Sequence, residues 1–514
     1  MGAVPRGARR PRAARMGGGA LARRRALHPP PGRGVMSSFP ARLLVRVPSR
    51  ARLELRQVLR ARMVLVAAAL LLVAGVAAIV DGAARVARER EVIAALDPAL
   101  REEESYLRET HAQEDDLGLV LYYLAMPVAH EPNEWTALST GLRDVHPYSR
   151  HLRFTGLVPQ LYKTDIANPL KQLSGSFDYG FVLIFLVPLF IIGVSYDVRS
   201  RDDDLGTEPL VCSQPTRLSR VLALRLALRA GLVSAVALAL LAFAVAWLGL
   251  PLDARAGAFA LASLAYIALW FVLVFLVASL RRSSAWNAIS LVGVWIAWCV
   301  LLPALVNLAI ITASPARGGV ELTLAQRQEM NAGWDRPKRA TLDPFFARRP
   351  EWAQTPVPED RFSWPWYYAM HEVGDAHVAR QVEDYHAALA RREQWTARAA
   401  LALPPLALEL VLDRMAGTDM ATELAFRDSM VAYHEQLKQY FYPLVFNHKG
   451  LAAFGIDHVP RHRFDGGPRP LHLSGLAGLL GVLALLGAAI PLAVRRIDAT
   501  PWLEEAERRA ATRA

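Results

Sequence analysis

His371, His377 and His386 lie in one short stretch beside Glu372, Asp375, Glu383 and Asp384. Imidazoles and carboxylates so close together are the usual donors for zinc or for proton transfer. The zinc-protease spacing HExxH needs a second His four residues after the first. His371-Glu372 meets Asp375 at that place instead. The stretch is therefore expected to be a solvated helix face, as are His434 with Glu435 and the set His458, His462 and His472. No metal site and no catalytic residue is predicted. No Ser sits in a GxSxG elbow. None of the five Lys follows a Gly, and no Gly-rich run leads into Lys-Ser or Lys-Thr, so no phosphate-binding loop is present. The chain is expected to bind no cofactor, and any ATP-driven role needs a second polypeptide. Cys212 and Cys299 are too isolated for a disulfide framework or a paired-Cys metal site.

The elements that would hold such groups are mostly apolar. Hydrophobic residues make up 53% of the 514, while 21% are charged, so membrane spans must alternate with polar regions. About 20 apolar residues are needed to cross the hydrocarbon core. Six segments qualify: Met63–Val80, Phe177–Val194, Ala230–Leu250, Ala256–Leu280, Ala285–Ala313 and Leu473–Val494. Leu119–Ala129 is too short, and Ala399–Leu412 is broken by Pro404-Pro405 and carries Glu409. Both read as packed or interfacial helices of extramembrane regions. Inside the spans, polar side chains are few: Ser234, Ser263, Asn287, Ser290 and Asn307. Hydrogen bonding between helices accounts for most of them. Asn287 and Asn307 are the candidates for lining a translocation path. Gly475, Gly478 and Gly481 predict close approach of a neighbour to the last span.

The net charge of +12 is concentrated in residues 1–62, a block rich in Arg. Nucleic-acid binding is one reading of such a block. A basic block that ends at an apolar run reads better as the cytoplasmic anchor of a first span, and no nucleic-acid partner is predicted. Its Gly, Pro and Arg content predicts partial disorder, with ordinary sequence beginning near Met36. Arg281-Arg282 and Arg495-Arg496 fall on the same side as this block, which places both termini in the cytoplasm. The expected organisation is a basic N-terminus (1–62), span 1 (63–80), an outer segment (81–176) and spans 2 to 5 (177–313). A second outer segment (314–472), span 6 (473–494) and a tail (495–514) follow. Both outer segments read as mostly helical, with no run of alternating strands. The fold class is an all-α integral membrane protein.

The loop at 197–220, between spans 2 and 3, is too short to fold alone. It holds four Arg against five acids. Gly206 marks a tight turn, Thr207 is placed to cap a short helix near Pro209, and Gln214-Pro215-Thr216 marks a second break. Ser219–Arg229 reads as a basic amphipathic lead into span 3.

The order Asp203-Asp204-Leu205-Gly206-Thr207, a short helix, then Ser213-Gln214-Pro215-Thr216-Arg217 resembles the cytoplasmic loop of type-2 ABC transporter permeases. The chain departs from that pattern in having acids before Gly206, Arg at 225 and Pro at 209. Asn168-Pro169, Gly175-Ser176-Phe177-Asp178 and Pro188 resemble a subgroup with large extracytoplasmic segments of unknown function. So do Pro404-Pro405, Ala416-Gly417-Thr418, Phe426 and Tyr433. The resemblance implies a permease subunit of the bacterial inner membrane, leaning toward export. It implies an ABC ATPase subunit that binds the ATP and a second permease chain in the same bilayer. Asp203, Asp204, Leu205, Gly206, Thr207, Glu208 and Arg217 would couple to the ATPase. Two other readings stand beside it: a scaffold or sensor whose outer segments bind a ligand, and an enzyme using His371, His377 and His434.

Overall fold

In hydrocarbon a backbone must satisfy its own N–H and C=O groups, and a helix does so within a single segment. In a computed structural model, each of the six apolar runs falls, to within two residues at its ends, on a helix long and apolar enough to cross a membrane, with Leu473 outside the described residues. The structure describes residues 49–111, 116–162, 176–213, 216–315, 318–359, 361–466 and 474–499. Most of the basic N-terminus, Asn168-Pro169, Gly175, Gln214-Pro215 and the tail from 500 onward lie outside the described residues.

A short helix α1 (Ser49–Arg60) leads into α2 (Arg62–Thr110), whose apolar front half is the first span. Where the expected span ends, α2 continues unbroken into charged sequence, with Asp81 and Arg85 paired one turn apart at 2.7 Å. Its outer half is held by Glu89, buried against Arg143 at 2.6 Å, while Arg143 also donates to the His130 carbonyl at 2.9 Å.

The first outer segment then departs from expectation. Leu119–Ala129 is not one helix: α3 (Leu117–Tyr123) gives way to β1 (Ala125–Ala129), which pairs antiparallel with β2 (Ser149–Arg153). Pro127 sits inside β1, a position that a helix interior tolerates poorly. The short helix α4 (Val158–Tyr162) follows.

The second span is α5 (Tyr179–Asp204), and a turn over 196–199 sets off its last part, Ser200–Asp204. Pro188 has no N–H, so the Ile184 carbonyl loses its helical partner, and α5 widens into a π turn at Val182–Leu186. A hydroxyl from another span replaces the missing donor. Tyr266 donates to that carbonyl at 3.0 Å. Next come α6 (Glu208–Cys212), the third span α7 (Leu218–Leu248) and the fourth, α8 (Ala254–Ala278). The fifth, α9 (Ser284–Ala313), carries its own π turn at Ala297–Leu301, just before Pro303. Within the apolar windows of α5 and α8, 61% of residues are buried, against 11% in α9. The first two therefore form the centre of the membrane domain, and α9 presents most of its surface outward.

Most of the second outer segment is helical, with α10 (Gly319–Asp335), α11 (Lys338–Arg348), α12 (Trp364–His377), α13 (Ala379–Ala399), α14 (Pro404–Ala416) and α15 (Met420–Phe446). Phe345, Tyr368, Phe426, Phe441 and Phe446 build its core together with Leu121 and Leu152 of the first outer segment. One helix belongs elsewhere. Ala407, Leu408, Val411 and Leu412 of α14 are buried in the core of the membrane spans, not with the outer helices. The expected extramembrane helix thus packs on the bundle, although it is too short to cross it.

The last span, α16 (Ser474–Asp498), runs as Ser474–Gly487 and then Ile490–Asp498. Two of its three spaced glycines account for its close contact with α14 and with the turn that leads into it. A Cβ on Gly475 would lie 2.7 Å from the Ala407 carbonyl oxygen, and one on Gly478 would lie 2.7 Å from that of Ala400, whereas Gly481 faces open space. Gly478→Val is expected to lower stability by about 1–3 kcal/mol, because the opposing atom is backbone and cannot step aside. Gly481→Val is expected to be near neutral. Thermal aggregation midpoints of the two purified variants check the contrast.

Candidate functional site

The charged loop folds as a tight hairpin. Gly206 adopts φ +68 with no atom near its missing Cβ, so backbone conformation rather than space selects glycine there. Its N–H donates to the Asp203 carbonyl at 3.0 Å and that of Thr207 to the Asp202 carbonyl at 2.8 Å, which closes the end of α5 in a Schellman turn. The Thr207 side chain differs from expectation. Its hydroxyl turns back to the Asp202 carbonyl at 3.3 Å, while its own carbonyl accepts from Leu210 and Val211 to start α6.

Ion pairs then tie this hairpin to the spans. Arg199, only 5% exposed, donates to Glu208 at 2.8 Å and lies 3.5 Å from Asp203. Arg281, in the turn between α8 and α9, lies 3.6 Å from the same Glu208 oxygen and donates to the Ala499 carbonyl at 3.1 Å. A hydrogen bond from Asp203 holds the Glu208 carboxyl below its ordinary value, against partial burial and with help from the Arg199 and Arg281 charges. Ser284, the first residue of α9, donates to Asp204 at 2.5 Å. Arg225 of α7 bridges Asp202 at 2.5 Å and Glu54 of α1 at 2.9 Å. Arg281, Ser284 and Arg225 thus join the loop to the turn before α9, to α9 and to α7, while Arg199 ties its two limbs together.

Asp203, Asp204, Leu205, Gly206, Thr207 and Glu208 therefore form one compact unit. Arg217 does not join it: it stands exposed at the start of α7 with extended backbone. Arg281 and Ser284 escape a reading of the loop alone because another part of the bundle brings them in, whereas Arg199 lies within the loop itself. Leu205 and Leu210 are 65% and 69% exposed, two large apolar side chains at the tip of an otherwise charged unit.

Asn287 and Asn307 sit on one helix about 30 Å apart by rise, so they do not form one site. Asn287 is buried and donates to the Tyr196 carbonyl at 3.3 Å, beside the loop; Asn307 is exposed. Ser263 bonds within its own helix, to the Phe259 carbonyl at 2.9 Å.

The histidines of the second outer segment depart from expectation in part. His434 is 2% exposed and His371 is half-buried rather than solvated, whereas His377 and His458 stand exposed as expected. The Gly156 N–H donates to Nδ1 of His371 at 3.0 Å, and the Thr155 carbonyl accepts from Nε2 of His434 at 3.0 Å. Asp375, in the place where a zinc site would need histidine, accepts from the Leu157 N–H at 2.5 Å and the Val158 N–H at 3.3 Å. The group clamps the loop at 154–158. Among the described residues, no three His, Cys, Asp or Glu side chains converge on a metal position. A cavity of about 1000 Å³ opens at the junction of the outer segments and the spans. Arg255 of α8, Arg414 of α14, Glu393, Asp97 and His462 give it a charged wall, and Ala258, Val411 and Leu476 give it an apolar one.

Six spanning helices, two helical outer segments and a hairpin bolted to the spans define a multi-pass membrane component of a transport machine. Residues 50–334 match the model of the ABC-2 family transporter proteins, and the chain belongs to that family. Residues 320–465 match a domain of unknown function, DUF3526. No curated protein and no solved structure matches the chain. Members of the family are transport membrane components that in general work with an ATPase partner.

The buried histidines generate a pH dependence. Burial pushes His371 down to about 3, and burial together with the Lys438 charge pushes His434 down to about 3. Their stabilising contribution is complete above the ordinary histidine value and is lost as pH falls toward 3, because only the unfolded chain takes up protons in that window. Asp375, pushed up to about 6 by burial, works the other way between about 6 and its ordinary value, and offsets one of the two. The net loss is on the order of 1 kcal/mol per pH unit. Protease sensitivity of the outer helices is expected to rise between pH 6.5 and pH 4, and His434→Gln is expected to flatten that rise.

Proposed function

We propose that the chain is the permease subunit of an ATP-driven exporter in a bacterial inner membrane, with both termini and the charged hairpin in the cytoplasm. The observation that carries this reading is the pair of exposed leucines on a hairpin whose acids reach α7, α9 and the turn between α8 and α9. Apolar tips on a rigid charged base suit docking into a cleft of a separate ATPase, which binds the ATP. Asp203, Asp204, Leu205, Gly206, Thr207, Glu208 and Arg217 supply the contact surface. Closure of the ATPases around ATP pushes the hairpin, and the ties through Glu208 to Arg281 and through Asp204 to Ser284 pass the displacement to α8 and α9. The chain performs no bond chemistry in this scheme.

The outward face of α9, which carries Asn307, suits a second permease chain, and a translocation path would then run along that seam. The large mixed cavity supports a second reading, in which the outer segments bind a ligand and the protein acts as a scaffold or sensor. The two readings separate at the hairpin. Leu210→Asp is expected to lower copurification of an ATPase with a phosphate-binding loop at least tenfold, and Glu208→Gln is expected to weaken ATP-dependent transport without removing the ATPase. The exporter reading falls if no such ATPase copurifies with the unaltered chain. It falls too if Leu210→Cys, in a Cys212→Ser background, is labelled from outside sealed cells. Loss of function on deleting an outer segment, with Leu210→Asp silent, would favour the sensor.

A further inference from the structure

A groove of about 490 Å³ lies at the hairpin end of the spans, between the start of α7, α8 and the end of α16. Small side chains on α7 open it, chiefly Ala223, Ala227 and Ala230, and Phe271 and Phe275 of α8 wall it. From Arg220 to Ala230 the slot runs about 15 Å by helical rise. That equals one leaflet, half of a hydrocarbon core about 30 Å thick.

Its mouth is cationic. Arg217 and Arg220 stand there exposed, and among the described residues neither makes an ion pair. Arg495 and Arg496, on the last turn of α16, are exposed nearby. The acid on that turn, Asp498, is already engaged, accepting from the Ser219 N–H at 2.9 Å and from its hydroxyl at 2.7 Å. Arg225, one turn further along α7, is likewise committed to Glu54 and Asp202. An apolar slot one leaflet deep, under guanidinium groups that have no acid partner among the described residues, matches one class of molecule. Its tail must be hydrocarbon, and its head must carry a negative phosphate, which arginine takes by paired hydrogen bonds.

We infer that this groove seats an anionic phospholipid, one acyl chain lying between α7 and α8 and the phosphate on Arg217 and Arg220. An acidic protein segment fits less well, because the slot has no polar partner for a backbone along its length. With the proposed orientation the lipid belongs to the cytoplasmic leaflet, where basic residues beside a span attract anionic head groups. Binding itself is independent of any ATPase. The site adjoins the loop that ends at Arg217, so its occupant would stiffen the junction between hairpin and third span.

The test uses the full-length chain alone, so its outcome is separate from that of the ATPase experiments. Delipidated protein is titrated with phosphatidylglycerol or phosphatidylcholine, and bound lipid is counted by native mass spectrometry. The unaltered chain is expected to retain phosphatidylglycerol about tenfold more strongly, a difference of about 1.4 kcal/mol. Arg220→Gln is expected to cut that preference at least threefold. Ala227→Phe, which fills the slot, is expected to reduce retention of phosphatidylglycerol to a similar degree. Ala223→Leu serves the same purpose if Ala227→Phe loses its monodisperse elution profile. Equal retention of the two lipids by the unaltered chain overturns the proposal. So does full retention of phosphatidylglycerol by a folded slot-filled variant, which would mean that the basic surface attracts head groups without seating a chain.

Discussion

The Glu208 carboxylate, clasped by Arg199 and faced by Arg281, is the contact on which the arrangement of the hairpin depends. An exposed ion pair contributes at most about 1 kcal/mol, too little to hold two elements rigidly together. Arg199 is different because it is nearly buried. Removing its partner would strand a desolvated charge, and such losses run to about 3–5 kcal/mol. The far limb of the hairpin is therefore fastened to the end of the second span by something close to a structural bond, and Arg281 adds a tie to the turn between the fourth and fifth spans. With Asp204 on Ser284 and Asp202 on Arg225, it is braced against three helices at once.

A comparable brace exists at the opposite end. The turn at 133–140 sits on the C-terminal end of α14: Asn133 donates to the Met415 carbonyl at 3.2 Å, Thr136 to that of Ala416 at 2.9 Å, and Ser139 to the Asp413 carboxylate at 2.6 Å. Because α14 shares its apolar face with the spans, these bonds attach the first outer segment to the bundle through the second. The two outer segments also share one core. They behave as a single cap on the membrane domain rather than as two appendages.

The spans were plainly legible in the sequence, because hydrocarbon demands long uninterrupted apolar runs and little else resembles them. Gly206 was legible for a similar reason, since a left-handed turn leaves glycine as the natural choice. What failed to show needed a partner from afar. The Ile184 carbonyl freed by Pro188 could be foreseen, but not that Tyr266 would answer it. His371 and His434 looked solvated because their neighbours in sequence are charged, and nothing local announces that residues 154–158 cover them. Pro127 marks Leu119–Ala129 as a poor helix, a signal in the sequence itself that the reading of that run as a helix left unused. For α14, Glu409 argued against burial among spans, while its remaining face was apolar enough to pack there. Arg281 and Ser284 join the site through tertiary contact alone.

The first spanning helix does not stop at the membrane surface. From Asp81 to Thr110 it projects about 45 Å, and no second helix intervenes between its apolar half and its far end. A lever arm of that length turns a tilt of about 5° within the bilayer into a sweep of about 4 Å at Thr110. Because Leu100 and Leu107 near that end are buried in the core of the cap, a rotation too slight to register among packed spans would carry the cap with it.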